Sequence, residues 1–262
     1  MALRFILLIA LVLRLGYAGA HGASVYPESV LASDDLRALT EKLEKKRLRH
    51  SEAGFVRMLF TQMHRQVLKQ FKEGTTLAEA LQTGAYNCLT ATTFFALLLD
   101  HFRVSYRIVE TNYHVFLLAD VGGSTWLIET TDPLNGIVSK PEQVEARIAF
   151  YRQMPPPVSG VLRGYAYRKD YFRVLSVQEL RGLDYFNQAV GALNEGNLKK
   201  SVYLLQQASV FYQSGRIREI AGILSLMIHE RNLSEKDRSD LLRRLFIIEQ
   251  LSAPALASAA GG

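Results

Sequence analysis

The sequence predicts an α+β fold: a central helix packed on an antiparallel sheet, followed by an α-helical hairpin region. Three observations carry that expectation. Residues from Asn87 to Phe102 are apolar nearly all round a helical wheel, the mark of a helix buried in a core. Beyond Arg103 the hydrophobic period switches to two, as in strands, and from Val177 onward it is helical again. With 262 residues, 48% hydrophobic and 21% charged, the chain is long enough for one or two well-cored domains.

Taken in order, residues 1–20 have the layout of a secretory signal peptide: Arg4, an apolar run from Phe5 to Leu13, then Ala18-Gly19-Ala20 as a cleavage site. Arg14 leaves that run short of the ~20 residues that a spanning helix needs. The expected location is secreted or periplasmic, with no membrane span after cleavage. Without Arg4 and Arg14 the formal charge falls from +6 to +4, and the basic residues are spread along the chain. The cluster Lys45-Lys46-Arg47-Leu48-Arg49 reads as a solvated helix face, so nucleic acid is not an expected partner. Cys88 is the single cysteine, which excludes an internal disulfide framework. An exported chain carries such a thiol unpaired, either buried and inert or kept for its reactivity.

Residues 21–75 are expected to supply N-terminal helices of the core. Ser33, Asp34 and Asp35 start the first, which runs to about Leu48. Ser51 and Glu52 open a second, whose apolar residues Phe55, Met58, Leu59, Met63, Val67 and Phe71 recur at three and four. Residues 76–176 are expected to form the core domain and a covering loop. Leu77 to Leu81 is a short helical piece, Gly84 a turn, and the central helix begins near Asn87 or Cys88. Three alternating runs follow, at Val104 to Ile108, His114 to Ala119 and Thr125 to Thr131, the last two joined as a hairpin by Gly122-Gly123. Asp132-Pro133-Leu134-Asn135-Gly136 is a turn. The segment 138–176, with Pro155-Pro156-Pro157 and tyrosines at 151, 165, 167 and 171, reads as an irregular covering loop.

In residues 177–252, Leu180, Leu183, Phe186, Ala189, Val190 and Leu193 form one face, Glu195-Gly196-Asn197 a break, and Val202, Leu204, Leu205 and Ala208 resume it. This helix, Gly-Asn turn, helix layout resembles a tetratricopeptide unit. A weaker pair follows at Ile217 to Glu230 and Glu235 to Leu251, which makes a helical cap docked on the core, with a possible role in holding a protein partner. Residues 253–262 read as a disordered tail.

The chemistry centres on Cys88. A thiol is a useful nucleophile as the thiolate, and its ordinary pKa of about 8.5 must fall for that form to be populated at neutral pH. A helix N-terminus supplies part of that effect and a histidine partner, here His114, supplies more. A third group orients the imidazole. If Gly122-Gly123 is a two-residue loop, the strand ladder sets Thr131 opposite His114 and Phe116 opposite Glu129, so Glu129 shares a face with His114 and Asp132 does not. A bulge reverses that parity. The oxyanion candidates are the Cys88 backbone N–H with Gln82 or Asn87, both of which also suit helix capping. The other histidines are scattered, without a metal motif, so no metal or cofactor is indicated.

Tyr86-Asn87-Cys88-Leu89-Thr90, Tyr113-His114-Val115-Phe116 and Trp126-Leu127-Ile128-Glu129-Thr130-Thr131-Asp132-Pro133 together resemble the three blocks of the bacterial transglutaminase-like superfamily. The resemblance implies a papain-like core with Cys88 as nucleophile, His114 as base and, from the Asp-Pro block, Asp132 as the acid, where strand parity favours Glu129. It implies an exported cysteine-dependent acyl-transfer enzyme that acts on a protein, peptide or small amide. The alternative is an inactive transglutaminase-fold scaffold that acts through its helical repeats.

Overall fold

The structure is a computed structural model that describes residues 30, 33–154 and 172–251. It is mixed α+β, with a five-stranded antiparallel sheet and a small parallel pair. The expected signal peptide, the tail and the tyrosines at 165, 167 and 171 lie outside the described residues. Among the described residues no helix is long and apolar enough to cross a membrane.

Helix α1 (Asp34–Arg47) has acidic residues in its first turn and Lys45, Lys46 and Arg47 in its last, both in the sense the helix dipole favours. It buries Leu36, Leu39 and Leu43, one per turn. Helix α2 (Glu52–Gln66) is capped by the Ser51 hydroxyl, which accepts the Gly54 N–H, and buries Phe55, Leu59 and Met63. The helical period in the sequence continues to Phe71, but α2 stops at Gln66 and Gln70–Phe71 is strand β1. The cause is long-range pairing. The N–H groups of Lys69 and Lys72 bond the carbonyls of Gly84 and Tyr86 (both 2.8 Å), forming a parallel pair with β2 (Ala85–Tyr86). Helix α3 (Leu77–Thr83) bridges the two, and Gly84 turns the chain into β2.

Helix α4 (Cys88–His101) is buried from Leu89 to Leu99, as its all-round apolar surface requires. The sheet runs in the order β6-β5-β4-β3-β7, with β3 (Tyr106–Thr111), β4 (Val115–Val121), β5 (Ser124–Ile128), β6 (Ile137–Val138) and β7 (Phe172–Leu175). Gly122 and Gly123 both have positive φ, +58° and +82°, the backbone that a tight two-residue hairpin demands. Val121 therefore pairs with Ser124, and the ladder runs without a bulge to Leu117 opposite Ile128.

One sheet face, through Ile108, Leu117 and Ile128, joins the core around Phe94, Phe95 and Leu98 of α4. The opposite face carries Val109, Phe116, Leu118 and Leu127 beneath helix α5 (Pro141–Arg152), which contributes Val144 and Tyr151. Helix α5 and strands β6 and β7 replace much of the expected irregular covering loop. Only about one α5 residue per turn, at 144, 148 and 151, faces the sheet, so its helical period is faint in the sequence.

The C-terminal region is four helices: α6 (Val177–Asn194), α7 (Leu198–Phe211), α8 (Gly215–Glu230) and α9 (Glu235–Leu251). Helices α6 and α7 form a hairpin around Gly196, and α6 lies against α4 and β7. Leu180, Leu183 and Phe186 belong to the same apolar cluster as α4, so the cap and the core share one interior.

Asp184 of α6 also ties the two parts together, since the Leu77 backbone at the start of α3 favours its charged form. Burial pushes its carboxyl up to about 6, outweighing the hydrogen bonds from Leu77 and Gln188 that favour the charged form. The folded pKa lies above the unfolded value, so stability falls as pH rises from about 4 through 6. Asp184→Asn keeps an acceptor for Leu77 but has no charge to bury. It is expected to stabilise the protein by about 1–3 kcal/mol at pH 8 and to be near neutral at pH 4, read from melting temperatures at both.

Candidate active site

Cys88 is the first residue of α4, and the helix start that holds it is bonded on every side. The Asn87 Oδ1 accepts the Thr90 N–H (3.0 Å) while the Thr90 hydroxyl accepts the Asn87 N–H (2.9 Å), a reciprocal capping box. Asn87 Nδ2 donates to the Thr75 carbonyl (2.9 Å). One turn further, the Thr92 hydroxyl donates to the Val115 carbonyl (3.3 Å) and meets the Thr130 hydroxyl at 3.0 Å. Those bonds fasten the start of α4 to the beginning of β4 and to the chain leaving β5. Cys88 and His114 thereby come together from opposite sides of the sheet end.

His114 closes the turn between β3 and β4. Its carbonyl accepts the Thr111 N–H (2.8 Å) and the Thr111 hydroxyl (3.2 Å). Its ring lies on the α5 face of the sheet, 4.6 Å from the Tyr151 ring, with Nε2 2.5 Å from Glu129 Oε2. The Cys88 side chain is the ring's other polar neighbour and acts on the imidazole together with Glu129. With Nε2 against Glu129, Nδ1 is the nitrogen left for the thiol. Burial by itself would lower the His114 pKa, but the hydrogen bonds and charges of Cys88 and Glu129 outweigh it and raise it to about 10.

Glu129 is 3% exposed, and both its oxygens are occupied. Oε2 takes the His114 ring and the Tyr151 hydroxyl; Oε1 takes the Thr131 N–H (3.0 Å) and the Thr131 hydroxyl (2.5 Å). Burial would push this carboxyl up, yet the bonds from His114, Thr131 and Tyr151 bring it down to about 2. The Tyr151 hydroxyl in turn accepts from Arg147 Nη1 (3.3 Å). Burial and the Glu129 charge raise the Tyr151 phenol, so it stays a donor at physiological pH.

Asp132 lies elsewhere. Its Oδ1 accepts the N–H groups of Leu134 (3.2 Å) and Asn135 (2.9 Å), folding the turn back on itself. The turn closes because residue 136 is glycine. A Cβ there would sit 2.2 Å from the Glu129 carbonyl oxygen and 2.4 Å from that of Asp132. The Glu129 N–H bonds the Gly136 carbonyl (2.7 Å), which extends the β5–β6 pairing to the carboxylate itself. Gln82 is exposed on the last turn of α3, and the Asn87 amide is taken up by the cap and by Thr75.

The structure thus gathers Cys88 and Glu129 about the His114 ring and leaves Asp132, Gln82 and the Asn87 side chain outside that group. Tyr151 and Thr131, which complete the Glu129 shell, were not foreseen as site residues. Thr131 was visible as the residue opposite His114 in the ladder, whereas Tyr151 was hidden in the segment read as loop. Among the described residues no group of three or more His, Cys, Asp or Glu side chains is placed to hold a metal ion. No family model, no curated protein and no solved structure matches the chain.

Proposed function

We propose that this protein is an exported cysteine-dependent acyl-transfer enzyme with a papain/transglutaminase-like core, acting on an amide of a protein, peptide or small molecule. The observation that carries the proposal is the line Cys88, His114, Glu129, in which the imidazole bonds a buried carboxylate and has the thiol as its other side-chain neighbour. The motif resemblance around Cys88, His114 and the Glu129–Asp132 block supports it. Glu129 takes the place of the third group, because its carboxylate meets His114 Nε2 while Asp132 is used within its own turn.

In the proposed reaction the Cys88 sulfur attacks the carbonyl carbon of the amide, and the C=O electron pair moves onto oxygen. The Cys88 backbone N–H receives that oxyanion, since the first N–H groups of a helix have no partner within it. As the tetrahedral species collapses, the C–N bond breaks and the imidazolium gives its proton to the departing amine. Water or a second amine then loses a proton to His114 and attacks the thioester, releasing Cys88. Glu129 keeps the ring oriented and stabilises its charge throughout.

Iodoacetamide tests the proposal, because with one cysteine every alkylated molecule reports Cys88. Wild-type protein is expected to react readily at pH 6, with His114→Ala reacting there at least ~10-fold more slowly. A wild-type thiol that reacts only above pH 8 would sink the proposal.

A further inference from the structure

We infer that Arg216, on the first turn of α8, is a positioning residue for His114, so that the C-terminal helices are part of the site and not a separable module. The inference rests on the function proposed above. Arg216 is 5% exposed and reaches across the interface between cap and core to the end of β3. Its Nη1 donates to Glu110 Oε1 (2.9 Å), and Glu110 is itself fully buried. Its Nη2 donates to the backbone carbonyls of Thr111 (3.0 Å) and Asn112. Those carbonyls belong to the turn whose other end is His114, closed by the two bonds from Thr111 to the His114 carbonyl. One planar guanidinium therefore grips the penultimate side chain of β3 and the backbone of the turn at once, a task for a fork of donors and not for a point charge.

The surroundings hold that fork in place. The Tyr212 hydroxyl, at the end of α7, donates to Glu110 Oε1. Arg173 of β7 lies 3.6 Å from Glu110 Oε2, over the Tyr212 ring, and pairs with Glu179 of α6. Elements β7, α6, α7 and α8 all converge on Glu110, four residues before the histidine. A buried guanidinium needs acceptors for the N–H groups its carboxylate leaves over, and here those acceptors are two consecutive carbonyls of the turn, so satisfying the charge also fixes the path of the chain into His114.

The test separates positioning from folding. In Glu110→Gln/Arg216→Met both charges leave together, which spares the fold an unpaired buried ion, and the glutamine oxygen still accepts from Tyr212. This variant is expected to unfold cooperatively like wild type, while its iodoacetamide rate at pH 6 falls roughly 10- to 100-fold and its rate above pH 9 is unchanged. Arg216→Lys, which keeps a cation beside Glu110 but lacks the fork, is expected to fold and to show the same loss in smaller degree. A folded example of either variant with the wild-type pH profile overturns the inference and leaves the Cys88 proposal standing. A wild-type thiol that is unreactive at pH 6 removes both.

Discussion

Glu129→Gln is expected to slow alkylation of Cys88 at pH 6 by roughly 10- to 100-fold, whereas Asp132→Asn changes it by no more than about twofold. The magnitude follows from the bond lost: a hydrogen bond to a charged group is worth about 1.5–3 kcal/mol, or about one to two pH units in the protonation of its partner. Glutamine leaves the His114 ring in a buried place with no anion behind it, so the imidazolium that supports a thiolate becomes costly. Asparagine at 132 keeps an Oδ1 for the Leu134 and Asn135 N–H groups, which is what the structure uses it for.

The same pair predicts a pH window for stability. Glu129 is held below its ordinary value, at about 2, so its contribution is present above pH 4.5 and lost as pH falls through 2. His114 is raised to about 10, so its contribution is complete below pH 6.5 and lost as pH rises through 10. Between pH 4.5 and 6.5 both are at full strength. The melting-temperature difference between wild type and Glu129→Gln is therefore expected to be largest there and to shrink towards either extreme.

The second large effect is on folding. Arg216→Met alone is expected to cost about 3–5 kcal/mol, the usual penalty for leaving a buried charge without its partner. Glu110 has 0% exposure, and burial raises its carboxyl even against the Arg216 charge, the Tyr212 bond and Arg173, which all favour the ionised form. With Arg216 gone, Glu110 must take up a proton or recruit Arg173 from its pairing with Glu179. Denaturant unfolding of the single variant should show the loss, and adding Glu110→Gln should recover much of it. An Arg216→Met variant within about 0.5 kcal/mol of wild type, the range of ordinary surface changes, would contradict this.

Much of this architecture could be read from the chain because it is locally encoded. Ser51, Thr76, Asn87, Ser176 and Asn197 cap helices where a hydroxyl or amide precedes an apolar period. The paired glycines at 122 and 123 set the hairpin register, and with it the shared face of His114 and Glu129. What could not be read depends on partners distant in sequence. The strands β1, β2 and β6 are two residues each, too short to show a period, and exist because another strand lies beside them. Helix α5 touches the sheet through a narrow stripe, so neither its period nor the Tyr151–Glu129 bond shows in the sequence. The choice between Glu129 and Asp132 stayed open because one bulge in β5 would have exchanged them; the ladder has none up to Ile128. Nothing local marks Glu110 and Arg216, because their pair forms between β3 and α8.

The most direct test of the account is the protonation of the His114 ring, followed by the 15N shifts of its imidazole nitrogens from pH 5 to 10.5. The ring is expected to be doubly protonated at pH 8 and to lose its proton only as pH approaches about 10. A ring that is neutral at pH 8, titrating near the 6.5 of a free histidine or below it, would contradict the Cys88–His114–Glu129 line as the centre of this protein's chemistry.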